Sequence, residues 1–419
     1  MARSGGAVSR VGFLFSLAVV ALFSFSRNAH AYTVETLITP GCHEKITADA
    51  LRNVRQSLAT AAPIPLSGDE NALLADMPFS VPRDLCDLGG MTLLVGVRDN
   101  DLKGIPITST DELVEITSDD SLQREHCLRT REEHEPDGTK QAVDDCRAYI
   151  LDTLVSSLDG LDANGNPDPN ARQSVQLALA VRGQTTVDLP IFYFRVGNAL
   201  HAIEDSFSHD WRSQTDPHKI VVALDWTDYA DNSIDEPTTG PAHEKEMDRC
   251  DDPDALRTAR RALATEAATK ALEVALDPTL SRDQKKAGFQ QVLDTYVVFD
   301  DTANCTYDNG WCQAPERQYE SSSCACTAAG IDRGNSVRMI AAALGLALIL
   351  FVRRRRRSRV GIAAFVIALT IFSSRAARAD DVDAGTPPPA TPGGEAVPGV
   401  PPPVNPEPKP ETSSGTGPI

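Results

Sequence analysis

The stretch GNALHAIEDSFSHDW, residues 197–211, decides both the fold and the chemistry that the sequence predicts. It continues an apolar run from Leu189 to Leu200, and as one helix it places His201, Asp205 and His209 four residues apart. Positions four apart lie on one face of an α-helix, so the three side chains fall within about 80° of arc. The apolar run predicts that this face points into the protein interior.

The spacing along this helix predicts more than one metal ion. His201 and Asp205 are one turn apart and can share an ion. His201 and His209 cannot, because eight residues rise about 12 Å and each zinc–nitrogen bond is only about 2 Å long. Asp205 can reach two ions, an arrangement that suits phosphoester hydrolysis because paired cations stabilise the attacking and leaving oxygens together. The alternative is an ordinary helix with surface histidines.

Helical spacing of apolar residues dominates the rest of the chain. Strand signals are confined to Thr92–Val97 and Ile220–Leu224, and long loops rich in Pro, Gly and Asp are expected near 63–90 and 225–242. The patterns predict an all-α domain with long loops. The predicted helices are His43–Ala61, Thr139–Leu158, Asn170–Val181, Leu189–His209, Asp254–Leu276 and Ser281–Phe299.

The N-terminus has the features of a secretory signal peptide. Arg3 and Arg10 precede an apolar run, and Ala29-His30-Ala31 forms a small-x-small cleavage pattern. The run is shorter than the about 20 residues that a membrane span needs, so an uncleaved anchor is the weaker alternative. Residues 1–31 are therefore predicted to direct export, and residues 32–320 to form the folded domain.

Three further segments follow the domain. Residues 321–357 contain Cys324-Ala325-Cys326, a short transmembrane run from Met339 to Val352, and five arginines. This combination resembles the C-terminal sorting tails of myxobacterial surface proteins, which implies anchoring to the cell surface, with the arginines on the cytoplasmic side. A second hydrophobic segment lies at 358–379. Either it forms a membrane hairpin with the first run, or it belongs to a second reading frame fused to the first. Residues 380–419 are Pro-rich and predicted to be disordered.

Charge and cysteine content narrow the function. Residues 32–320 hold 26 Lys and Arg against 52 Asp and Glu, which leaves a net charge of −26. Such a surface repels phosphate backbones and argues against a general nucleic-acid binder, although bound divalent cations would reverse the sign inside a cleft. Nine cysteines in an exported chain favour disulfides. Cys305 and Cys312 close a short loop and are the expected pair, while the other pairings stay open.

Five residues of the central stretch carry a resemblance to a known family. Leu200, His201, Asp205, Ser208 and His209 match the pattern Leu-His-x-x-x-Asp-x-x-Ser-His. It is similar to the central motif of the zinc-dependent phospholipase C and single-strand nuclease fold, in the branch of fungal heterokaryon-incompatibility proteins and bacterial relatives. The resemblance spans roughly residues 32–275. It implies an all-α fold, two to three zinc ions and phosphoester hydrolysis by metal-activated water.

The same resemblance implies the other ligands on the N-terminal side. The segment TPGCHEKIT, residues 39–47, is similar to the early histidine helix of the family, so His43 is an expected ligand. Asp101 stands where the family has an aspartate, with Asp99 as the alternative. His126 is the next histidine, with His134 as its competitor.

On the C-terminal side, His243 is the last expected histidine ligand. The family has an acidic residue four positions later, where this chain has Met247, so Glu246 or Asp248 is expected to substitute. Asp101 and Asp205 are the predicted catalytic residues. The predicted metal ligands are His43, Asp101, His126, His201, Asp205, His209, His243 and Glu246.

The sequence thus predicts an exported zinc hydrolase that acts on phospholipid and is held at the membrane by its C-terminal segment. No serine nucleophile elbow or P-loop motif occurs, which argues against serine hydrolases and NTPases. One alternative is a single-strand nuclease of the same fold, although that activity needs aromatic stacking platforms. The other is a metal-stabilised surface or interaction protein without turnover.

Overall fold

The computed structural model describes residues 41–231, 233–243, 247–250 and 254–317. The predicted signal peptide, sorting tail, second hydrophobic segment and Pro-rich tail lie outside these residues, as does Glu246. Among the residues described, no helix reaches the combined length and apolar character of a membrane span.

Helices form most of the described chain, and their labels follow the order of the sequence. The α-helices are α1 (Cys42–Ser57), α2 (Gly68–Leu74), α3 (Leu88–Leu102), α4 (Thr110–Thr117), α5 (Gly138–Ser157), α6 (Ile191–Asp205), α7 (Thr227–Ala230), α8 (Glu236–Thr239), α9 (Ala255–Leu276) and α10 (Arg282–Tyr296). Short 3₁₀ helices lie at Ala59–Ala61, Arg83–Leu85, Asp120–Glu125, Leu158–Gly160, Tyr307–Asn309 and Trp311–Gln313.

The expectation of an all-α domain is wrong, because two small β-sheets accompany the helices. The first is an antiparallel hairpin of β1 (Arg172–Leu179) and β2 (Gly183–Pro190). The second has the order β3-β4-β5, from β3 (Asp210–Arg212), β4 (Lys219–Ala223) and β5 (Val298–Phe299). In it, β4 pairs antiparallel with β3 and parallel with β5. The domain is therefore mixed, with helices predominating.

Two predicted elements have the wrong secondary structure. The predicted helix Asn170–Val181 is strand β1, in which Val175 and Leu179 are buried while Gln176 is exposed, so the apolar spacing follows the two-residue period of a strand. The predicted strand Thr92–Val97 lies inside α3, where consecutive residues are buried on every side. Burial all round removes the helical period from the sequence, so a short apolar run cannot distinguish the two structures.

The remaining predicted helices and the second predicted strand are present, some with different ends. The strand expected at Ile220–Leu224 is β4, and five of the predicted helices correspond to α1, α5, α6, α9 and α10. The expected loops are shorter than predicted, because 63–90 contains α2 and a 3₁₀ helix and 225–242 contains α7 and α8. Helix α6 ends at Asp205 and therefore does not reach His209.

Helix α6 lies at the centre of the fold and packs against α1, α3, α5 and α9. Its approach to α3 is close because a glycine lies on each helix. A Cβ atom at Gly96 would overlap the carbonyl of Phe194, and one at Gly197 would overlap the carbonyl of Leu93. This contact between backbones brings the last turn of α3 beside the last turn of α6.

The described chain contains three disulfides, of which the Cys42–Cys250 bond joins segments far apart in sequence. They link Cys42 to Cys250, Cys127 to Cys146, and Cys305 to Cys312, which confirms the one pair predicted from sequence. Cys86 is exposed and has a free thiol. Cys42 and Cys127 each adjoin a histidine that the sequence singles out.

Candidate metal centre

The last turn of α6 carries three buried polar side chains, those of His201, Glu204 and Asp205. The chain then turns, and the amides of Ser208 and His209 both donate to the carbonyl of Asp205, at 2.9 and 2.8 Å. His209 is thus held one turn beyond Asp205 although the helix has ended. An otherwise apolar helix sets these groups in the core, where buried polar atoms need partners.

Histidines and carboxylates from five segments meet here in three groups that could hold metal ions. In each group the ligand atoms lie within 4.8 Å of one another. We call them by one member each: the Asp101 group (Asp101, His126, His201), the His43 group (His43, His201, Asp205) and the His243 group (His209, His243, Asp248).

The Asp101 group has its two ring nitrogens and its carboxylate oxygen between 3.0 and 3.9 Å apart. Nε2 of His201 lies 3.0 Å from Nδ1 of His126 and 3.7 Å from Oδ1 of Asp101. Oδ2 of Asp205 lies 2.9 Å from both of these ring nitrogens. A tetrahedral ion with bonds of about 2.0–2.1 Å sets its ligand atoms about 3.3 Å apart. The observed distances bracket that value, so these donors fit a zinc-sized ion.

The His43 group uses the other oxygen of Asp205. Nε2 of His43 lies 3.2 Å from Oδ1 of Asp205, and the rings of His43 and His201 are stacked with centroids 4.0 Å apart. The carboxylate of Asp205 therefore faces donors on two sides, Oδ1 toward His43 and Oδ2 toward His126 and His201. This is the geometry of a carboxylate that bridges two cations.

The His243 group shares no residue with the other two. Oδ1 of Asp248 lies 3.4 Å from Nε2 of His243 and 3.7 Å from Nε2 of His209. Nε2 of His209 and both ring nitrogens of His243 are buried and make no hydrogen bond to any residue in the described ranges. Buried imidazole nitrogens that lack hydrogen bonds fit a ligand role.

Hydrogen bonds on the far side of two rings select the nitrogen offered to a metal. Nδ1 of His201 donates to the carbonyl of Val97 at 2.7 Å, and Nδ1 of His209 donates to the carbonyl of His126 at 2.8 Å. A carbonyl only accepts, so each Nδ1 carries the hydrogen and each Nε2 keeps its lone pair in the neutral ring. Metal-binding histidines are typically held in this way.

Burial keeps the imidazoles of the His243 group neutral. It lowers the pKa of His209 to about 3 and that of His243 to about 4. Neutral imidazole is the form that binds metals. The rings of His209 and His243 therefore provide two neutral donors beside the carboxylate of Asp248.

Neighbouring charges lower the pKa of Asp205 and raise the pKa of His43. Burial alone would raise the pKa of Asp205, but the imidazoles of His201, His209 and His43 hold it well below its usual range. Burial alone would lower the pKa of His43, but Asp205 and Glu204 raise it well above its usual range. A proton on His43 thus competes with a metal ion for the place beside Asp205.

The structure brings together the predicted ligands that it describes, which are His43, Asp101, His126, His201, Asp205, His209 and His243. Asp101 and His126 lie in the centre, whereas His134 is exposed and Asp99 belongs to none of the three groups. Asp248, which the sequence offered as the alternative to Glu246, lies in the His243 group, and Glu246 lies outside the described residues. Asp205 reaches toward His209 with Oδ2, which lies 3.8 Å from Nδ1 of that ring, while Oδ1 faces His43, a contact that the sequence did not predict.

Sequence reasoning missed Glu204 and Thr47. Oε2 of Glu204 lies 2.7 Å from Nδ1 of His43, and the hydroxyl of Thr47 donates to Oε1 of Glu204 at 2.6 Å. Both residues are buried. The signal that could have found Glu204 is its place beside Asp205 at the end of an apolar helix, where a second carboxylate needs a cationic or hydrogen-bonding partner.

Comparison with known proteins gives no match: the chain matches no protein-family model, no curated protein and no solved structure.

Proposed function

We propose that the protein is an exported zinc-dependent phosphoester hydrolase of phospholipase C type. The observation that carries the proposal is the position of Asp205, a fully buried carboxylate with His43 on one side and His126 and His201 on the other. A second, separate set of donors lies at Asp248. Several ions at such a centre suit the displacement of an alcohol from a phosphodiester.

Zinc is the ion that the donors favour. Imidazole nitrogen and carboxylate oxygen are its usual protein ligands, and histidine-rich sites with a few carboxylates are typical of zinc. Mg²⁺ and Ca²⁺ prefer sites made only of oxygen. Bound zinc would supply Lewis acidity and activate a water molecule for attack on phosphorus.

The residues of this chain would bind and orient the substrate through their charge balance. The centre contains the carboxylates of Asp101, Asp205 and Asp248, and residues 32–320 are acidic overall. Without cations, this surface would repel a phosphodiester. Bound cations would reverse the sign at this one place and would direct the substrate phosphate to it. Asp101, with a side chain 14% exposed, is the member of the centre nearest to solvent and marks the expected approach of substrate.

Phospholipid is the substrate class that we favour over single-stranded nucleic acid. The net charge of −26 opposes a nucleic-acid backbone along its length, whereas a lipid head group brings one phosphodiester. Across the described ranges, the exposed aromatic side chains are Tyr229 and Tyr307, which gives little surface for base stacking. Export is supported by the predicted signal peptide and by disulfides, which form in oxidising compartments.

The burial of the centre favours a second candidate function. His43, His201 and Asp205 are 0% exposed, and closed metal sites are typically structural rather than catalytic. In this candidate, the ions stabilise a cell-surface protein that has no turnover. The predicted membrane attachment through the C-terminal segment fits both candidates.

One experiment separates these possibilities. The full chain, isolated after export, is analysed for metal by mass spectrometry and then assayed on phosphatidylcholine vesicles and on single-stranded DNA. Zinc together with phospholipid cleavage, lost in Asp205→Asn and kept in the exposed His134→Gln, is the expected result. DNA cleavage alone would favour the nuclease, zinc without turnover would favour the structural role, and a metal-free active protein would refute the proposal.

A further inference from the structure

A buried carboxylate outside the three metal groups holds one of their histidines. Glu204 is 0% exposed and contacts Nδ1 of His43 at 2.7 Å through Oε2. Its other oxygen, Oε1, accepts the hydroxyl hydrogen of Thr47 at 2.6 Å. Both carboxylate oxygens are therefore engaged, so the side chain of Glu204 is fixed between two residues of α1.

The contacts of Glu204 join helix α6 to helix α1. His43 and Thr47 are four residues apart and lie on one face of α1. Glu204 and Asp205 are consecutive at the end of α6. Glu204 contacts Nδ1 of the His43 ring and Asp205 lies 3.2 Å from Nε2, so two neighbouring carboxylates of α6 approach one imidazole of α1 from opposite ends.

We propose that Glu204 is a positioning residue of the metal centre, which with Thr47 orients His43 so that Nε2 of its ring is directed at the ion shared with Asp205. The proposal rests on the proposed metal-dependent function and adds a role that needs no contact between Glu204 and metal or substrate. Glu204 accepts the Nδ1 hydrogen of His43, which leaves Nε2 as the donor atom. Thr47 fixes the rotamer of Glu204.

The partner of His43 differs from those of the neighbouring histidines. His201 and His209 donate their Nδ1 hydrogens to backbone carbonyls, which are neutral. His43 faces a carboxylate, and a carboxylate makes the imidazole a stronger donor to a metal than a carbonyl does.

The test compares Glu204→Gln, Thr47→Val and Thr47→Ser with the wild-type full chain. Glu204→Gln keeps the size of the side chain and removes its charge, Thr47→Val removes the hydroxyl, and Thr47→Ser restores it. Zinc affinity is measured by competition with a chelator, and the ligand field by the visible absorption of the cobalt-substituted protein.

We expect Glu204→Gln to weaken one zinc equivalent by about 10- to 100-fold, the usual effect of losing the outer partner of a ligand. The cobalt spectrum should change, and the remaining equivalents should keep their affinity. Thr47→Val should weaken the same equivalent by a smaller factor, and Thr47→Ser should bind as the wild type does. If Glu204→Gln does not fold, the two Thr47 variants still decide the matter.

The proposal is overturned if the Glu204 and Thr47 variants keep the wild-type zinc affinities and cobalt spectrum, or if every equivalent weakens together. A wild-type chain that binds metal and has no hydrolase activity would refute the proposed function and leave this comparison intact, because its readout is metal binding. A wild-type chain that binds no metal would overturn both.

Discussion

At the scale of single residues, Asp205 is a buried carboxylate surrounded by imidazoles. It is fully buried, its two oxygens face imidazoles from three other positions, and its pKa is held well below the usual range by their charges. A buried carboxylate is costly without cationic partners. Protons on the histidines can supply that charge, and metal ions can supply it at neutral pH.

Replacement of Asp205 by Asn should remove more than one metal ion. Oδ1 of Asp205 faces His43, and its Oδ2 lies 2.9 Å from the ring nitrogens of His126 and His201 in the Asp101 group. An amide offers one neutral acceptor in place of this anionic pair. We expect hydrolysis to fall by more than the about 100-fold that loss of an outer partner causes. Metal content per chain and turnover should fall together. A variant that keeps its full metal content would contradict the bridging role.

Stability should depend on pH through carboxyls outside the metal centre. Burial raises the pKa of Glu133 from 4.5 to about 7, and burial together with the nearby Asp228 raises that of Asp225 from 3.8 to about 7. At pH values between the unfolded and the folded pKa, both carboxyls are protonated in the folded protein and ionised in the unfolded chain. Their contribution to stability is therefore complete below the unfolded pKa values. That contribution is lost as the pH rises through about 7.

Glu133→Gln should therefore reduce this pH dependence. The free energy of unfolding of the metal-free protein should fall between about pH 5 and pH 8, less steeply in Glu133→Gln than in the wild type. Glu132→Gln, a change at the exposed neighbouring residue, is the matched control and should follow the wild-type curve. Denaturant titrations at each pH measure the difference. Parallel curves for all three proteins would show that burial does not perturb Glu133.

The sequence predicts the ligands on regular helices better than those in loops. The four-residue spacing located His201 and Asp205, and a motif placed His43 near the start of α1. Asp248 lies five residues after His243 rather than the four of the family pattern, so the sequence could name it only as one of two substitutes. Glu204 is invisible to a search for ligands, since it contacts a ligand rather than a metal.

At the scale of elements, the hairpin of β1 and β2 shows where sequence patterns mislead. Its segments contain Gln, Leu and Ala, which favour helices, and its turn has no Asn-Gly pair. The signal that was available is Gly183, which has a φ of +68° and directly follows a three-residue loop. Three-residue hairpin loops often need a glycine in this conformation. Side-chain packing on the pleated surface then overrides local helix propensity.

The contact between α3 and α6 should be sensitive to a single methyl group. In Gly197→Ala, the new Cβ would overlap backbone atoms of α3, so the helices would have to separate. Overpacking of this kind typically costs about 1–3 kcal/mol. Val97, whose carbonyl holds His201, lies at this contact, so zinc affinity should fall as well. Gly68→Ala is the control, because a Cβ there meets no atom within 4 Å. Equal stability and affinity in both variants would contradict the close approach.

The Cys42–Cys250 disulfide should support the metal centre, and the Cys305–Cys312 disulfide should not. Cys42 adjoins His43 and pairs with Cys250, two residues after Asp248, while Cys305 and Cys312 close a loop with a sequence separation of 7. The Cys42–Cys250 separation is 208, and cross-links across long loops restrict the unfolded chain more. The double variant Cys42→Ser/Cys250→Ser should lose zinc affinity and stability. Cys305→Ser/Cys312→Ser should retain zinc; loss of zinc in both would indicate a general effect of unfolding.

At the scale of the whole molecule, an acidic surface surrounds a centre that needs positive charge. The expected all-α architecture fails only in two small sheets, since helices form most of the core. The sheet of β3, β4 and β5 brings the segment after α6 against that after α10. Pairing between segments so far apart in sequence is not encoded in local periodicity, so the sequence could not predict it.

Removal of metal should lower the stability of the molecule as a whole. A ligand that binds only the folded state stabilises it by about 2.7 kcal/mol per site at 100 times its Kd. For a domain of this size, 1 kcal/mol corresponds to about 2–4 °C in Tm, so chelation should lower Tm by about 5–10 °C for each ion lost. Calorimetry of the full chain with EDTA, followed by zinc or magnesium, measures the loss and its recovery. Zinc should restore Tm and magnesium should not, because the donors are imidazoles and carboxylates rather than oxygens alone. In Asp205→Asn, EDTA should cause a smaller decrease, since the His43 group loses its carboxylate and the Asp101 group loses the oxygen beside its ring nitrogens, while the His243 group is unchanged. If EDTA leaves the Tm of the zinc-loaded wild type unchanged, the centre contributes nothing to the stability of the folded state.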